Sequence, residues 1–234
     1  EGRPTRRYEN GLTHALVDHA EAVGGDLGLD THASLEAQVA AIADDIAYDA
    51  HDIDDGIRAG LFEVDALAAV PVVGGILADV RRRRPGLETS RLVHEITRAT
   101  VGALVEDVLA EARRRIAADR PADAEAVRHV GRPLVAFSAP MAEAEKALKR
   151  FLFANVYRHP KVLAIRQGAG RIVRDLYHAF AAAPEAMPAP WCEGLAGASE
   201  AARARRIADY IAGMTDRFAI EEHRRLFDDT PDLR

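Results

Sequence analysis

One cysteine and one tryptophan occur in 234 residues, and aromatics make up only 6% of the chain. The lone Cys192 excludes an internal disulfide framework and fits a reducing compartment. It has no evident base or metal partner, so a nucleophilic role is not expected of it. Long hydrophobic runs are missing too. The longest, Leu67–Leu77, is interrupted by Pro71 and by Gly74-Gly75, and falls far short of the roughly 20 residues that span a bilayer. No secretory signal is visible. A soluble, cytoplasmic protein is therefore expected. Basic charge is not in excess: the net charge of −6 argues against a dedicated nucleic-acid surface, while leaving room for local basic patches.

What is present is alanine in quantity, with Val, Ile and Leu recurring at helical rather than alternating spacing. That pattern predicts an all-α fold, and the length suffices for a substantial core. Residues 1–34 read as a loop or insert with one short helix near Leu12–Val23, and residues 35–234 as a single all-helical domain. Ser34 is placed to N-cap a helix reaching about Asp55, with Glu36 suited to its positive end. Gly56 either ends that helix or lets it bend. Asp65 starts a short helix, and the Pro71–Gly75 stretch interrupts the pattern. Glu88–Asp119 is a long amphipathic segment, broken by Arg120-Pro121. Further helices are expected over Pro140–Tyr157, Val162–Ala182 and Glu200–Phe227, the last with a break near Gly213. Pro184–Ser199 reads as loop.

The segment Glu36–Gly56, E-A-Q-V-A-A-I-A-D-D-I-A-Y-D-A-H-D-I-D-D-G, stands out. Six aspartates, a tyrosine and a histidine fall within the twelve residues Asp44–Asp55. Aspartate is a poor helix former, and clustered like charges repel. At about 100° per residue, Asp44, Tyr48, His51, Asp52 and Asp55 share an arc of roughly 100°. Ile42, Ile46, Ala50, Ile53 and Ile57 lie on the other side, as a core-facing seam. Asp44, Tyr48 and Asp52 form a column at i, i+4 and i+8. Such a column could hold a metal at one end and a sugar further along, or be no more than a solvated face. Spacing alone leaves both open.

The segment resembles the last metal-binding helix of the HD-domain deoxynucleoside triphosphate triphosphohydrolases, the dGTPase-like family. Two later blocks resemble the same family in the same order. Lys146–Val162 (K-A-L-K-R-F-L-F-A-N-V-Y-R-H-P-K-V) is similar to a family helix ending in Tyr-Arg-His-Pro. Ala208–Ala219 (A-D-Y-I-A-G-M-T-D-R-F-A), followed by Glu221–Phe227 (E-E-H-R-R-L-F), is similar to the C-terminal signature. The blocks span most of the chain from about Leu35 onward.

The resemblance implies a multi-helix HD-type phosphohydrolase that cuts a deoxynucleoside triphosphate into deoxynucleoside and tripolyphosphate. It implies a divalent metal, Mg²⁺ or Mn²⁺, a homo-oligomer, and nucleotide as substrate and as possible effector. In that family the metal is held by a His, a His-Asp pair and a distant final Asp. The final Asp matches Asp44, the tyrosine against the deoxyribose matches Tyr48, and the carboxylate on the sugar 3′-hydroxyl matches Asp52. The upstream His and His-Asp ligands and the catalytic His have no counterpart before Asp44. His14, His19 and His32 are the histidines there, and none precedes an Asp. The pair His51-Asp52 belongs to the sugar-binding end instead. Beginning E-G-R-P-T-R-R without Met, the chain reads as the interior of a longer protein, incomplete as a catalyst by itself. Rival readings are an HD phosphohydrolase acting on another nucleotide, such as a monophosphate, and a helical scaffold or regulatory module.

Other features carry two readings each. Arg81–Arg84 suits phosphate or single-stranded nucleic acid, or a solvated helix end; the second is expected. Lys149, Arg150, Tyr157, Arg158 and His159 suit a triphosphate and equally a basic helix end. Asp216 and Arg217 suggest a buried pair or subunit contact. Trp191 is expected to anchor a loop. Gly168-Ala169-Gly170 follows no strand and is no dinucleotide fingerprint.

Overall fold

The computed structural model describes residues 31–233, every regular element among them helical. The expected helix at Leu12–Val23 lies outside the described residues. No helix among them is long and apolar enough to cross a membrane. Contacts cluster into two units that divide between Val156 and Tyr157.

In the first unit, α1 (Leu35–Arg58) starts where the sequence places it. The Ser34 hydroxyl accepts the Ala37 N–H at 3.3 Å, satisfying one of the free donors of the first turn. The helix runs through Gly56 to Arg58 and does not stop at the glycine. Gly56 serves packing instead: a Cβ there would sit 2.4 Å from the Phe62 ring. A 3₁₀ turn over Val64–Ala69 follows, then α2 (Val73–Arg83). The Pro71–Gly75 stretch thus starts a helix where an interruption was expected. Val72, at φ +67°, makes the sharp entry. Helix α3 (Thr89–Asp119) packs on both α1 and α2.

A short α4 (Ala124–His129), unforeseen in the sequence, is N-capped by the Asp123 carboxylate accepting from Ala126 N–H at 2.8 Å. The chain then returns to α1, where Gln38 Oε1 accepts the N–H groups of Leu134 and Val135 at 2.8 and 3.0 Å. Ser138 opens α5 (Ala139–Leu152), and its N–H and hydroxyl donate to Asp107 of α3 at 2.8 and 2.6 Å. Ile46, Leu104, Val108 and Val135 form a shared core here. Glu111, buried on α3, accepts from Arg114 and Arg115, whose hydrogen bonds hold its carboxyl down at about 2. After α5 the backbone widens into a π-type turn over Phe153–Tyr157.

In the second unit, α6 (Pro160–Ala182) packs against α8 (Glu200–Ala212) and α9 (Asp216–Leu226), with the four-residue α7 (Ala189–Cys192) inside the proline-rich stretch. The break at Gly213 is as expected. Ile172, Leu176, Phe180, Ile207 and Tyr210 make its core. Trp191 is packed as an anchor, its ring 5.2 Å from Tyr210, with the Arg206 guanidinium 5.2 Å from it. Asp216 and Arg217 do not pair in the interior; both are exposed and Arg217 bonds Glu221 at 3.0 Å. His223 is fully buried, its ring nitrogens 2.9 Å from Thr230 Oγ1 and 3.2 Å from Asp175 Oδ2.

The paired glycines of α2 separate two effects. A Cβ on Gly74 would meet the Ala68 carbonyl oxygen at 2.4 Å, whereas nothing lies within 4 Å of one on Gly75. Gly74→Ala is expected to cost about 1–3 kcal/mol of overpacking, and Gly75→Ala to gain about 0.5–1 kcal/mol of helix propensity. Urea denaturation of both variants checks this; shifts of equal sign would refute the close approach.

Candidate functional site

Burial of Ile46, Ala50 and Ile53, at 4, 2 and 0% exposure, sets which face of α1 meets solvent. Asp44 is exposed, Tyr48 is 58% exposed and Asp52 is half-buried. The three stand one turn apart along an unbroken helix, as the spacing predicts. Asp44 makes no hydrogen bond or ion pair with any described residue. His51 is exposed. Among the described residues, Asp44 and Tyr48 of the column are thus exposed and Asp52 is half-buried.

The sequence reading missed Asp49. By helical period it lies between the polar arc and the apolar seam, so only the packing of a second helix decides its exposure. That helix is α5, and Asp49 is 3% exposed, its Oδ2 without a hydrogen-bond partner among the described residues. Burial pushes its carboxyl up to about 7; the Lys149 charge opposes this, while Glu145, Asp45 and Asp52 add to it. Lys149 reaches across from α5, its Nζ 3.4 Å from Asp45 Oδ1 and bonded to Glu145. Burial alone would lower the lysine, but the Glu145 bond and the charges of Asp49 and Asp45 leave it raised. The only residue clue was Lys149 among basic residues of a family-like block.

Two clefts flank α1. One, of about 500 Å³, is almost wholly apolar, lined by Val39, Ala43 and Ala47 of α1 and Val101, Val105 and Leu109 of α3. The other, of about 1460 Å³, has in its lining Asp45 of α1, Glu145 and Lys149 of α5, and Glu111, Arg114 and Arg115 of α3. Neither cleft is lined by Asp44, Tyr48 or Asp52.

No group of three or more His, Cys, Asp and Glu side chains among the described residues is placed to hold a metal ion. Asp44 offers a free anionic oxygen, which suits one ligand of a site and not a whole one. The described residues by themselves thus do not fit a complete metal centre.

Comparison with known proteins agrees with the three sequence blocks. A family model described as a phosphohydrolase-associated domain matches residues 135–225, a stretch that does not include Asp44, Tyr48 or Asp52. A deoxyguanosinetriphosphate triphosphohydrolase-like protein of Azorhizobium caulinodans is 52% identical over 233 residues, covering 100% of this chain and 58% of the relative. One named deoxyguanosinetriphosphate triphosphohydrolase-like protein 1, of Mesorhizobium japonicum, is 53% identical over 222 residues, 95% of this chain and 54% of its own length. A third, of Bradyrhizobium diazoefficiens, is 48% identical over 234 residues, again 100% and 58%. The chain is thus related along its length to the dGTPase-like proteins, and spans a little over half the length of these relatives.

Asp49 gives α1 a pH signature. Unfolded, an aspartate ionises near its ordinary value of 3.8; folded, this one keeps its proton to about 7. Between those values the folded chain binds the extra proton, so stability falls as pH rises and the deficit is complete above about 7. Asp49→Asn is expected to melt above wild type at pH 8 and level with it near pH 4. Parallel melting curves for the two proteins across that range would sink the assignment.

Proposed function

We propose, from this kinship with the dGTPase-like proteins, that the chain supplies the sugar-binding helix and one metal ligand of a hydrolase that converts deoxynucleoside triphosphates to deoxynucleoside and tripolyphosphate. The observation that carries the reading is the Asp44–Tyr48–Asp52 column, presented to solvent on a helix whose opposite side is locked into the core. Its members match, position by position, the metal, deoxyribose and 3′-hydroxyl contacts that the resemblance implies.

Each side chain suits its role chemically. The Asp44 carboxylate would give one hard anionic oxygen to a divalent cation, which when bound polarises a phosphate and activates water. The Tyr48 ring offers a flat apolar face one turn along, wide enough to press against a deoxyribose and to crowd a 2′-hydroxyl. Asp52 is partly withdrawn from water, where a carboxylate accepting from the 3′-hydroxyl makes a stronger bond than it would in bulk solvent. The other ligands such a cation needs are not among the described residues.

Two substitutions test the roles, measured as tripolyphosphate release from the four dNTPs by the full-length gene product with Mg²⁺ or Mn²⁺. Asp44→Ala is expected to reduce release to background; turnover at the wild-type rate would remove the metal-ligand role. Asp52→Ala is expected to lower kcat/KM roughly 10- to 100-fold on ordinary substrates, the worth of a charged hydrogen bond, and much less on 3′-deoxy analogues. Equal losses on both would remove its contact to the sugar. Orthophosphate or nucleotide products in place of tripolyphosphate would move the reading to another phosphohydrolase.

A further inference from the structure

The run Arg81–Arg84 is not one uniform basic patch. Arg81 bonds Asp65 at 2.5 Å, and Arg82 and Arg83 both pair with Asp79. Arg84 leaves the helix, and its Nη1 donates to Glu95 Oε1 of α3 at 2.8 Å. There it lines a separate cleft of about 460 Å³ with Arg58, Ser90, Arg91, His94 and Glu95.

Three arginines thus converge on one concavity from three places: the end of α1, the exit of α2 and the first turn of α3. A solvated helix end would let them splay apart. Two already have partial partners, since Arg58 bonds Asp54 at 2.6 Å and Arg84 shares Glu95 with Arg98. Arg91 and His94 make no ion pair with any described residue. Counting Arg58, Arg84, Arg91 and Arg98 against Asp54, Asp55 and Glu95 leaves a surplus of one positive charge, in a chain whose net charge is −6. Such a surplus attracts an anion. The guanidinium fork matches phosphate oxygens two at a time, and the volume lies within the roughly 300–1,000 Å³ usual for small-molecule sites.

We propose that this cleft binds the phosphate chain of a small phosphorylated compound, with Arg91 and Arg84 as its main contacts and the Ser90 hydroxyl and His94 ring beside them. It shares no residue with the Asp44–Tyr48–Asp52 column and needs no metal, so it stands apart from the function proposed for that column.

Calorimetric titration of the 234-residue chain with inorganic tripolyphosphate, in the presence of a metal chelator, tests it. Wild type is expected to bind, more weakly as salt rises. Arg91→Glu should weaken binding about tenfold or more, as loss of charged hydrogen bonds does, and Arg91→Ala should do so to a smaller degree. Arg217→Ala, far along the chain and paired only with Glu221, should bind as wild type. Arg91 is exposed in the first turn of a long helix, and a circular dichroism melt confirms that its variants fold. Parallel titrations with dGTP and orthophosphate distinguish the source. Nucleotide binding that depends on Arg91 assigns the cleft to nucleotides, and tripolyphosphate binding alone assigns it to the inorganic chain. No binding by wild type, or equal affinity in a folded Arg91→Glu, would overturn the proposal.

Discussion

Burial of Ile46, Ala50 and Ile53 against the long helix α3 fixes the rotation of α1 about its own axis, and that rotation decides which carboxylates reach solvent. Each fully buried isoleucine is worth about 1.5–3 kcal/mol. Six aspartates oppose helix formation, but each costs only about 0.7 kcal/mol or less in propensity, and neighbouring like charges cost a few tenths more. The apolar seam wins. α1 is therefore a continuous 24-residue helix despite its acidic second half, and a column spaced at i, i+4 and i+8 stays a column.

The acidic cost is not simply tolerated; it is distributed. Asp54 is matched within the helix by Arg58, and Asp45 by Lys149 from α5. Asp49 is the exception, buried between α1 and α5 with an oxygen that no described residue satisfies. Holding a proton removes the charge that burial penalises most.

The second unit repeats the theme of a local sequence feature explained by a distant partner. Gly168 looks arbitrary within α6 until the chain end is seen: a Cβ there would come within 2.7 Å of Leu233. The same end segment is tied down by Thr230 on buried His223 and by Asp229 on Arg171 at 2.9 Å. Asp175 lies between these two ties, and its carboxyl is held below the usual range first by the His223 hydrogen bond and then by Arg171. The Glu-Glu-His-Arg-Arg-Leu-Phe block is accounted for here by packing, with no catalytic role required of its histidine.

Helical periodicity, the Ser34 cap, the breaks at Arg120-Pro121 and Gly213, and the seam of α1 were all legible from residues alone, because each depends on neighbours within a turn or two. The same period placed Asp44, Tyr48 and Asp52 together, and the three blocks carried the resemblance to the dGTPase-like proteins that the comparisons bear out. Contacts remote in sequence were not legible. The burial of Asp49, the start of α2 inside a Pro-Gly stretch, the passage of α1 through Gly56 and the division of four consecutive arginines among three acids all depend on which surface meets which. Periodicity says which side of a helix is apolar. Only the tertiary structure says what stands against the border between its sides, and there desolvation and charge pairing decide whether a carboxylate is a solvated ornament or part of a site.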